Sequence, residues 1–159
     1  MAAMGAGAGL HMSRDEIERL FPALLFDRYD VKSPPSNRYN CVAWAAAADQ
    51  RKWWEPDANG QYYWPDGVPR GRTAEAYIRA FESLGFVRCE DGTFEGGYEK
   101  VAIYLHPHGH PTHVARQLPN GQWTSKLGRL EDVEHRTLEG LRGMQYGSPR
   151  VILKRPLPH

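Results

Sequence analysis

The pattern of hydrophobic and polar positions indicates a single mixed domain of short helices and strands. Apolar residues recur at three- and four-residue spacing from residue 17 to residue 24, which predicts a short amphipathic helix. A second helix is predicted from Thr73, which is placed to act as its N-cap, with Glu75 in the first turn and Gly85 as the terminator. A third helix is predicted where the acidic residues at positions 131–134 precede Leu138 and Leu141.

Short apolar runs bounded by turn residues predict the strands. They lie at residues 86–89, 101–105, 113–118, 122–127 and 150–154. Because short turns connect most of these runs, we expect a mostly antiparallel sheet.

The turn at residues 118–122 fixes which residues share a face of this sheet. In a two-residue turn Pro119 would occupy a ladder position that needs an N–H donor, so a three-residue loop with Gly121 in the left-handed position is favoured. This loop pairs Leu118 with Gln122. Counting outward, one face then holds His113, Ala115, Ser125 and Leu127, and the other holds Val114, Arg116, Thr124 and Lys126.

Composition narrows the function classes. A chain of 159 residues with net charge +1 fits one domain and gives no field that favours nucleic acid or a membrane as a partner. We expect residues 1–11 to be a leader or disordered tail and residues 12–159 to be one domain. The two cysteines indicate a reducing, cytoplasmic setting, while secretion without a signal peptide stays open.

Cys41 is the most informative residue, because it stands at the start of an Ala-rich run that predicts a helix. The N–H groups and dipole at a helix start favour the thiolate, which is the nucleophilic form of cysteine. His113 is the candidate base, and Ser125 is the candidate third residue that orients it. Asn40 is either an oxyanion donor or only the helix N-cap, and Cys41 itself is alternatively a buried core residue.

Aromatic and histidine residues supply the candidate substrate contacts. The aromatic loop at residues 53–64 is interpreted as the wall of a groove or, alternatively, as core packing. The predicted substrate-binding residues are Trp44, Trp54, Tyr63, Trp64 and His110. The loop histidines at residues 106–110 are interrupted by Pro107 and Gly109, so we expect their rings to splay apart. Neither a metal site nor a cofactor is predicted.

Short motifs carry a family resemblance. An Asn-Cys pair at a helix start, a His-Val-Ala segment on one strand and a polar residue on the next together resemble the papain-like cysteine peptidases and amidases, in their CHAP and NlpC-type branch. The resemblance implies an α+β fold with N-terminal helices, in which the Cys41 helix packs on a mostly antiparallel sheet of about four to five strands. It assigns the nucleophile to Cys41, the base to His113 and the position nearest the third member to Ser125. Those proteins usually place an acid or amide at the third position, where this chain has serine.

A second resemblance covers nearly the whole domain. The chain is similar to a bacterial family that has no assigned activity. The matching blocks are residues 39–45, 53–56, 63–67, 112–118, 123–128 and 134–135.

The expected function is hydrolysis of an amide bond by a Cys-His dyad or triad. The expected substrate is a peptide, a protein or a peptidoglycan-like polymer. Whether the chain also has a cognate immunity protein as a partner is left open by the sequence. The same dyad also fits a glutamine deamidase or an acyltransferase. The alternative from another class is a non-catalytic binding module that uses the aromatic loop at residues 53–64.

Overall fold

The computed structural model describes residues 14–33, 65, 67–69, 71–127 and 132–157. The α-helices there are α1 (Arg14–Leu20) and α2 (Ala74–Glu82), and the 3₁₀ helices are Pro22–Phe26 and Leu138–Leu141. The strands are β1 (Tyr29–Ser33), β2 (Val87–Cys89), β3 (Tyr98–Leu105), β4 (Pro111–Gln117), β5 (Trp123–Lys126), β6 (Asp132–His135) and β7 (Ser148–Pro156). No helix in these ranges is long and apolar enough to cross a membrane.

The strands form one seven-stranded sheet in the order β1-β6-β5-β4-β3-β7-β2. Every neighbouring pair is antiparallel. Strands β1 and β2 lie at the edges, whereas β3 and β4 lie inside the sheet. The middle of the sheet is therefore the part best shielded from water.

Side chains of β3 alternate between two separate cores. Val101 and Ile103 belong to the core that packs against α2. Ala102 and Tyr104 belong to the core that packs against α1 and the 3₁₀ helices. Successive side chains of a strand point to opposite faces, so a strand that is covered on both faces has a continuous run of apolar residues in its sequence.

The helix predicted from Thr73 is confirmed. The Thr73 hydroxyl accepts a hydrogen bond from the Ala76 backbone N–H at 3.1 Å, as expected of an N-cap. Gly85, with φ +97°, follows the end of α2 in the left-handed conformation. The cap and the terminator thus fix the length of α2 and place Tyr77 and Phe81 against the sheet.

The predicted three-residue loop between β4 and β5 is also confirmed. The Leu118 N–H donates to the Gln122 carbonyl at 2.7 Å, and the Gly121 N–H donates to the Leu118 carbonyl at 2.9 Å. Gly121 has φ +87°, and Gln117 pairs with Trp123. The register puts Ala115 and Leu127 in the α1 core and Val114 in the α2 core, as the turn chemistry predicts.

The predicted papain-like α+β fold with about four to five strands is wrong, because the structure is mostly a seven-stranded antiparallel sheet with two short α-helices among the described residues. The five predicted strands are present, but β1 and β6 extend the sheet beyond them. Their sequences, Tyr-Asp-Val-Lys-Ser and Asp-Val-Glu-His, are too short and polar to show a clear strand pattern. The helix predicted from residue 131 is replaced by β6 and the 3₁₀ helix Leu138–Leu141. The predicted Cys41 helix lies outside the described residues.

Gly147 allows the chain to pass close to β3 just before β7 begins. Its φ is +77°, and a Cβ at this position would fall well inside contact distance of the Leu105 carbonyl oxygen. Gly97 offers a matched comparison, because its φ is +87° but nothing lies within 4 Å of a Cβ there.

We expect Gly147→Ala to lower the free energy of unfolding by about 3 kcal/mol, since it adds a backbone clash to the strain of a left-handed alanine. Gly97→Ala should lower it by only about 1 kcal/mol, from the strain alone. Urea unfolding followed by tryptophan fluorescence measures both. Equal losses in the two variants would show that residue 147 tolerates a side chain.

Candidate functional site

His113 lies in the interior of the sheet between two tyrosines. It is paired in register with Tyr104 of β3, and the two ring centroids are 5.3 Å apart at an interplanar angle of 61°. Tyr146 stacks on the imidazole almost in parallel, with centroids 4.1 Å apart and an angle of 3°. Phe21 lies behind Tyr146 at 5.0 Å. The faces of the His113 ring are therefore held by aromatic packing.

Neither nitrogen of this imidazole has a hydrogen-bond partner among the residues that the structure describes. His113 is 1% exposed, and both Nδ1 and Nε2 are without a partner within the structure's described ranges. Burial lowers the pKa of His113 well below its ordinary value, and the charge of nearby His135 lowers it further. At neutral pH the ring is thus a neutral base with an unused proton-accepting nitrogen.

Other buried polar side chains on the sheet are satisfied. Lys100 Nζ donates to the Asp91 carbonyl at 2.9 Å and forms an ion pair with Glu95 at 2.9 Å. Gln117 Nε2 donates to the Gly92 carbonyl at 2.9 Å. Because buried polar atoms are nearly always paired, the two unpaired nitrogens of His113 are an exception that calls for a cause.

A second buried histidine, His135 of β6, forms a hydrogen-bonded chain with its neighbours. Its Nδ1 lies 2.8 Å from the Thr137 carbonyl, which only accepts, so Nδ1 carries the proton. Its Nε2 lies 2.8 Å from Ser125 Oγ and consequently accepts the serine proton. Burial lowers the pKa of His135, while the hydrogen bond to Thr137 opposes the shift.

Asp27 anchors the far end of this chain. Its Oδ2 accepts hydrogen bonds from the Thr137 N–H at 3.0 Å and from the Thr137 hydroxyl at 3.1 Å. These bonds hold the Thr137 carbonyl in place and, through it, the tautomer of His135. A loop residue before β1 therefore orients a serine in the middle of the sheet.

The structure places Ser125 differently from the sequence-based prediction. The sequence predicts a hydrogen bond between Ser125 and the His113 imidazole, direct or through water; among the described residues the direct bond is not formed, and the Ser125 hydroxyl is bonded to His135. The helix predicted from the acidic residues at positions 131–134 would include His135, which instead is fully buried in strand β6. The two-residue alternation of Val133 and His135 is the only strand signal in this segment, and four residues are too few for it to outweigh the helix pattern.

The loop histidines stack instead of splaying apart. The ring centroids of His106 and His108 are 5.1 Å apart, and those of His106 and His110 are 4.8 Å apart. His110, a predicted substrate-binding residue, thus lies exposed in this stack, away from buried His113. In the part of the chain that the structure covers, no three His, Cys, Asp or Glu side chains are grouped as metal ligands.

Several predicted site residues lie outside the described residues. They are Asn40, Cys41, Trp44, Trp54, Tyr63 and Trp64. Their predicted roles stay predictions.

A family model described as a domain of unknown function (DUF7689) matches residues 30–154. The chain belongs to this family. The matched range includes Cys41, His113, Ser125 and His135, whereas Asp27 and α1 precede it. No curated protein and no solved structure matches the chain.

We expect opposite stability effects from phenylalanine at the two buried histidines. His113→Phe keeps the aromatic stack and removes two unsatisfied nitrogens, so the free energy of unfolding should stay unchanged or rise by about 1 kcal/mol. His135→Phe leaves Ser125 and the Thr137 carbonyl unpaired and should lower it by about 1–3 kcal/mol. Urea unfolding at neutral pH tests both, and a large loss in His113→Phe would contradict the account.

We also expect stability to fall on mild acidification. The pKa values of His113 and His135 are lowered in the folded state from the ordinary value of 6.5, so below that pH the unfolded chain binds protons that the folded chain excludes. The free energy of unfolding should be level above about pH 7 and fall as pH drops below about 6.5. Unfolding measurements at several pH values across this range give the slope of the free energy of unfolding against pH. His113→Phe should reduce this slope; a slope equal to that of the unmodified protein would contradict the assignment to His113.

Proposed function

We propose that this chain is a thiol hydrolase of amide bonds, with Cys41 as the nucleophile and His113 as the general base. The observation that carries the proposal is the buried His113 imidazole, whose two nitrogens lack partners among the described residues. An unpaired buried polar group destabilises a fold by about 1–3 kcal/mol, so its presence favours a functional role. The proposal does not depend on a papain-like fold, because nucleophile–base pairs recur on unrelated folds.

The proposed reaction uses His113 twice as a proton carrier. As Cys41 Sγ bonds to the carbonyl carbon, His113 takes the thiol proton, and the oxyanion is held by the Cys41 N–H and the Asn40 side chain. His113 then gives the proton to the leaving nitrogen as the C–N bond breaks. Water, deprotonated by His113, then attacks the thioester carbon; the C–S bond breaks, His113 returns the proton to Cys41 Sγ, and the carboxylic acid product leaves. Because burial keeps His113 neutral, it is ready to accept the first proton.

Ser125 enters the proposal as a hydrogen-bond acceptor. The single hydroxyl proton of Ser125 is donated to His135 Nε2. Ser125 Oγ can therefore only accept a hydrogen bond from any further group. An imidazolium at His113 has two N–H donors and would gain from such an acceptor nearby. The proposal therefore gives Ser125 the role of accepting a His113 N–H once the ring is protonated, a contact that the ring does not make among the described residues.

The substrate in this proposal is a peptide, a protein or a peptidoglycan-like polymer, contacted by Trp44, Trp54, Tyr63, Trp64 and His110. Deamidation of glutamine or acyl transfer would use the same steps with a different acceptor. The proposal also places the protein in the cytoplasm, where a thiol stays reduced.

One observation favours a second candidate function. His113 is 1% exposed, which fits a core residue of a non-catalytic binding module. In that case Cys41 would have no activating base. Thiol reactivity separates the two candidates.

The two cysteines give a matched test of thiol activation. The pKa of Cys89 is raised by burial, and its Sγ lies 3.6 Å from the Asp91 carbonyl. Each cysteine is labelled with iodoacetamide in the variant that lacks the other one. We expect Cys41, in Cys89→Ala, to react at least about tenfold faster than Cys89, in Cys41→Ala, because in this proposal only Cys41 has a base beside it. His113→Phe should slow Cys41 by about 10²-fold.

A chemical burst tests acyl transfer. With p-nitrophenyl acetate, Cys89→Ala and His108→Ala should release one equivalent of p-nitrophenolate per protein chain, and Cys41→Ala should give no burst. Equal labelling rates for the two cysteines, together with no burst in the unmodified protein, would favour the binding module.

A further inference from the structure

A surface pocket lies where the β3–β4 loop meets the start of β7. Its volume is about 430 Å³, within the range of pockets that bind small ligands. The lining includes His106, Pro107, Arg142, Met144, Gly147 and Ser148. The pocket is thus built from a hairpin loop, the end of a 3₁₀ helix and the first residue of β7.

The loop at residues 143–147 connects this pocket to the His113 site. The backbones of Gly143 and Gly147 exchange hydrogen bonds of 3.0 and 2.7 Å, which closes a tight loop. Tyr146 points inward and stacks on His113, whereas Met144 points outward and is 96% exposed. One short loop therefore lines the pocket with some residues and covers the candidate base with another.

The pocket offers hydrogen-bond donors of three kinds. Arg142 carries five N–H donors, and its ion pair with Glu139 occupies only Nη1 at 3.0 Å. The His108 backbone N–H donates to His106 Nδ1 at 3.3 Å, so the His106 ring proton lies on Nε2. The Ser148 hydroxyl has no hydrogen bond within the described ranges. These donors suit an anion with several acceptor sites.

The charge of the lining favours the same type of ligand. No described residue of the lining carries a carboxylate, and Arg142 supplies a positive charge. The pair between Arg142 and Glu139 is 59% and 62% exposed, so it is weak and easily exchanged for a better partner. Pro107 and Met144 add an apolar surface beside the donors, which suits the aliphatic part of an organic anion.

We propose that this pocket binds the side-chain carboxylate of an acidic peptide residue, with Arg142 as the principal partner. A carboxylate matches the planar fork of a guanidinium, and its aliphatic stem matches Pro107 and Met144. That the peptide is the substrate of the hydrolase rests on the proposed function. The binding itself does not, since it needs neither Cys41 nor His113.

The test compares two peptides that differ only in charge. Ac-Ala-Leu-Glu-NH₂ and Ac-Ala-Leu-Gln-NH₂ are titrated into the full chain with methyl-¹³C-labelled methionine, and Met144, assigned with Met144→Leu, reports on the pocket. We expect the Glu peptide to shift the Met144 signal and to bind at least about tenfold more tightly than the Gln peptide, as for a hydrogen bond to a charged group. Arg142→Gln should abolish the difference, and Arg136→Gln, at an exposed arginine outside the lining, should preserve it.

Three results would overturn the inference. They are equal affinity for the two peptides, a preference that survives in Arg142→Gln, and tighter binding of inorganic phosphate than of the Glu peptide. Binding is measured also in Cys41→Ala, which separates the two proposals. Selective binding of the Glu peptide together with an unreactive Cys41 would support carboxylate binding in the pocket and contradict the hydrolase. An acyl burst without selective binding of the Glu peptide would support the hydrolase and contradict carboxylate binding in the pocket.

Discussion

Two hairpin loops with the same chemistry set the register of the central strands. In both, a proline follows the closing residue and a glycine precedes the partner, and the closing hydrogen bonds are His106 N–H to His110 at 2.9 Å and Leu118 N–H to Gln122 at 2.7 Å. Gly109 and Gly121 take positive φ values that other residues resist. A slip by one residue in either loop would turn His113 or Ser125 to the opposite face, so the site depends on these turns.

The buried polar side chains of this site differ in their hydrogen bonding. The chain from Asp27 through Thr137 and His135 to Ser125 satisfies its members and fixes the direction of each proton. His113 receives no such bond from the described part of the chain, where its contacts are ring packing against Tyr104 and Tyr146. A hydrogen-bonded chain stabilises the fold, whereas a buried histidine without partners lowers its stability, so the two histidines contribute differently to stability although both are buried.

Sequence reasoning worked where local chemistry decides the structure. The cap at Thr73 and the turn at Gly121 depend on residues within a few positions, and both were predictable. β1 and β6 exist because they pair with each other and β6 pairs with β5, which no short polar segment reveals by itself. The partner of Ser125 depended on that pairing, so His135 was missed although the face of Ser125 was predicted.

The geometry around His113 bears on the kind of proton transfer that the ring supports. The ring nitrogens lie in the plane of the imidazole, whereas Tyr146 covers a face at 4.1 Å, so stacking fixes the orientation without using either nitrogen. A dry surrounding also disfavours a standing pair of thiolate and imidazolium, because both ions would be poorly solvated. A base in this position acts best by accepting the proton as the nucleophile attacks, so that its positive charge arises only together with the negative charge of the oxyanion, which compensates it.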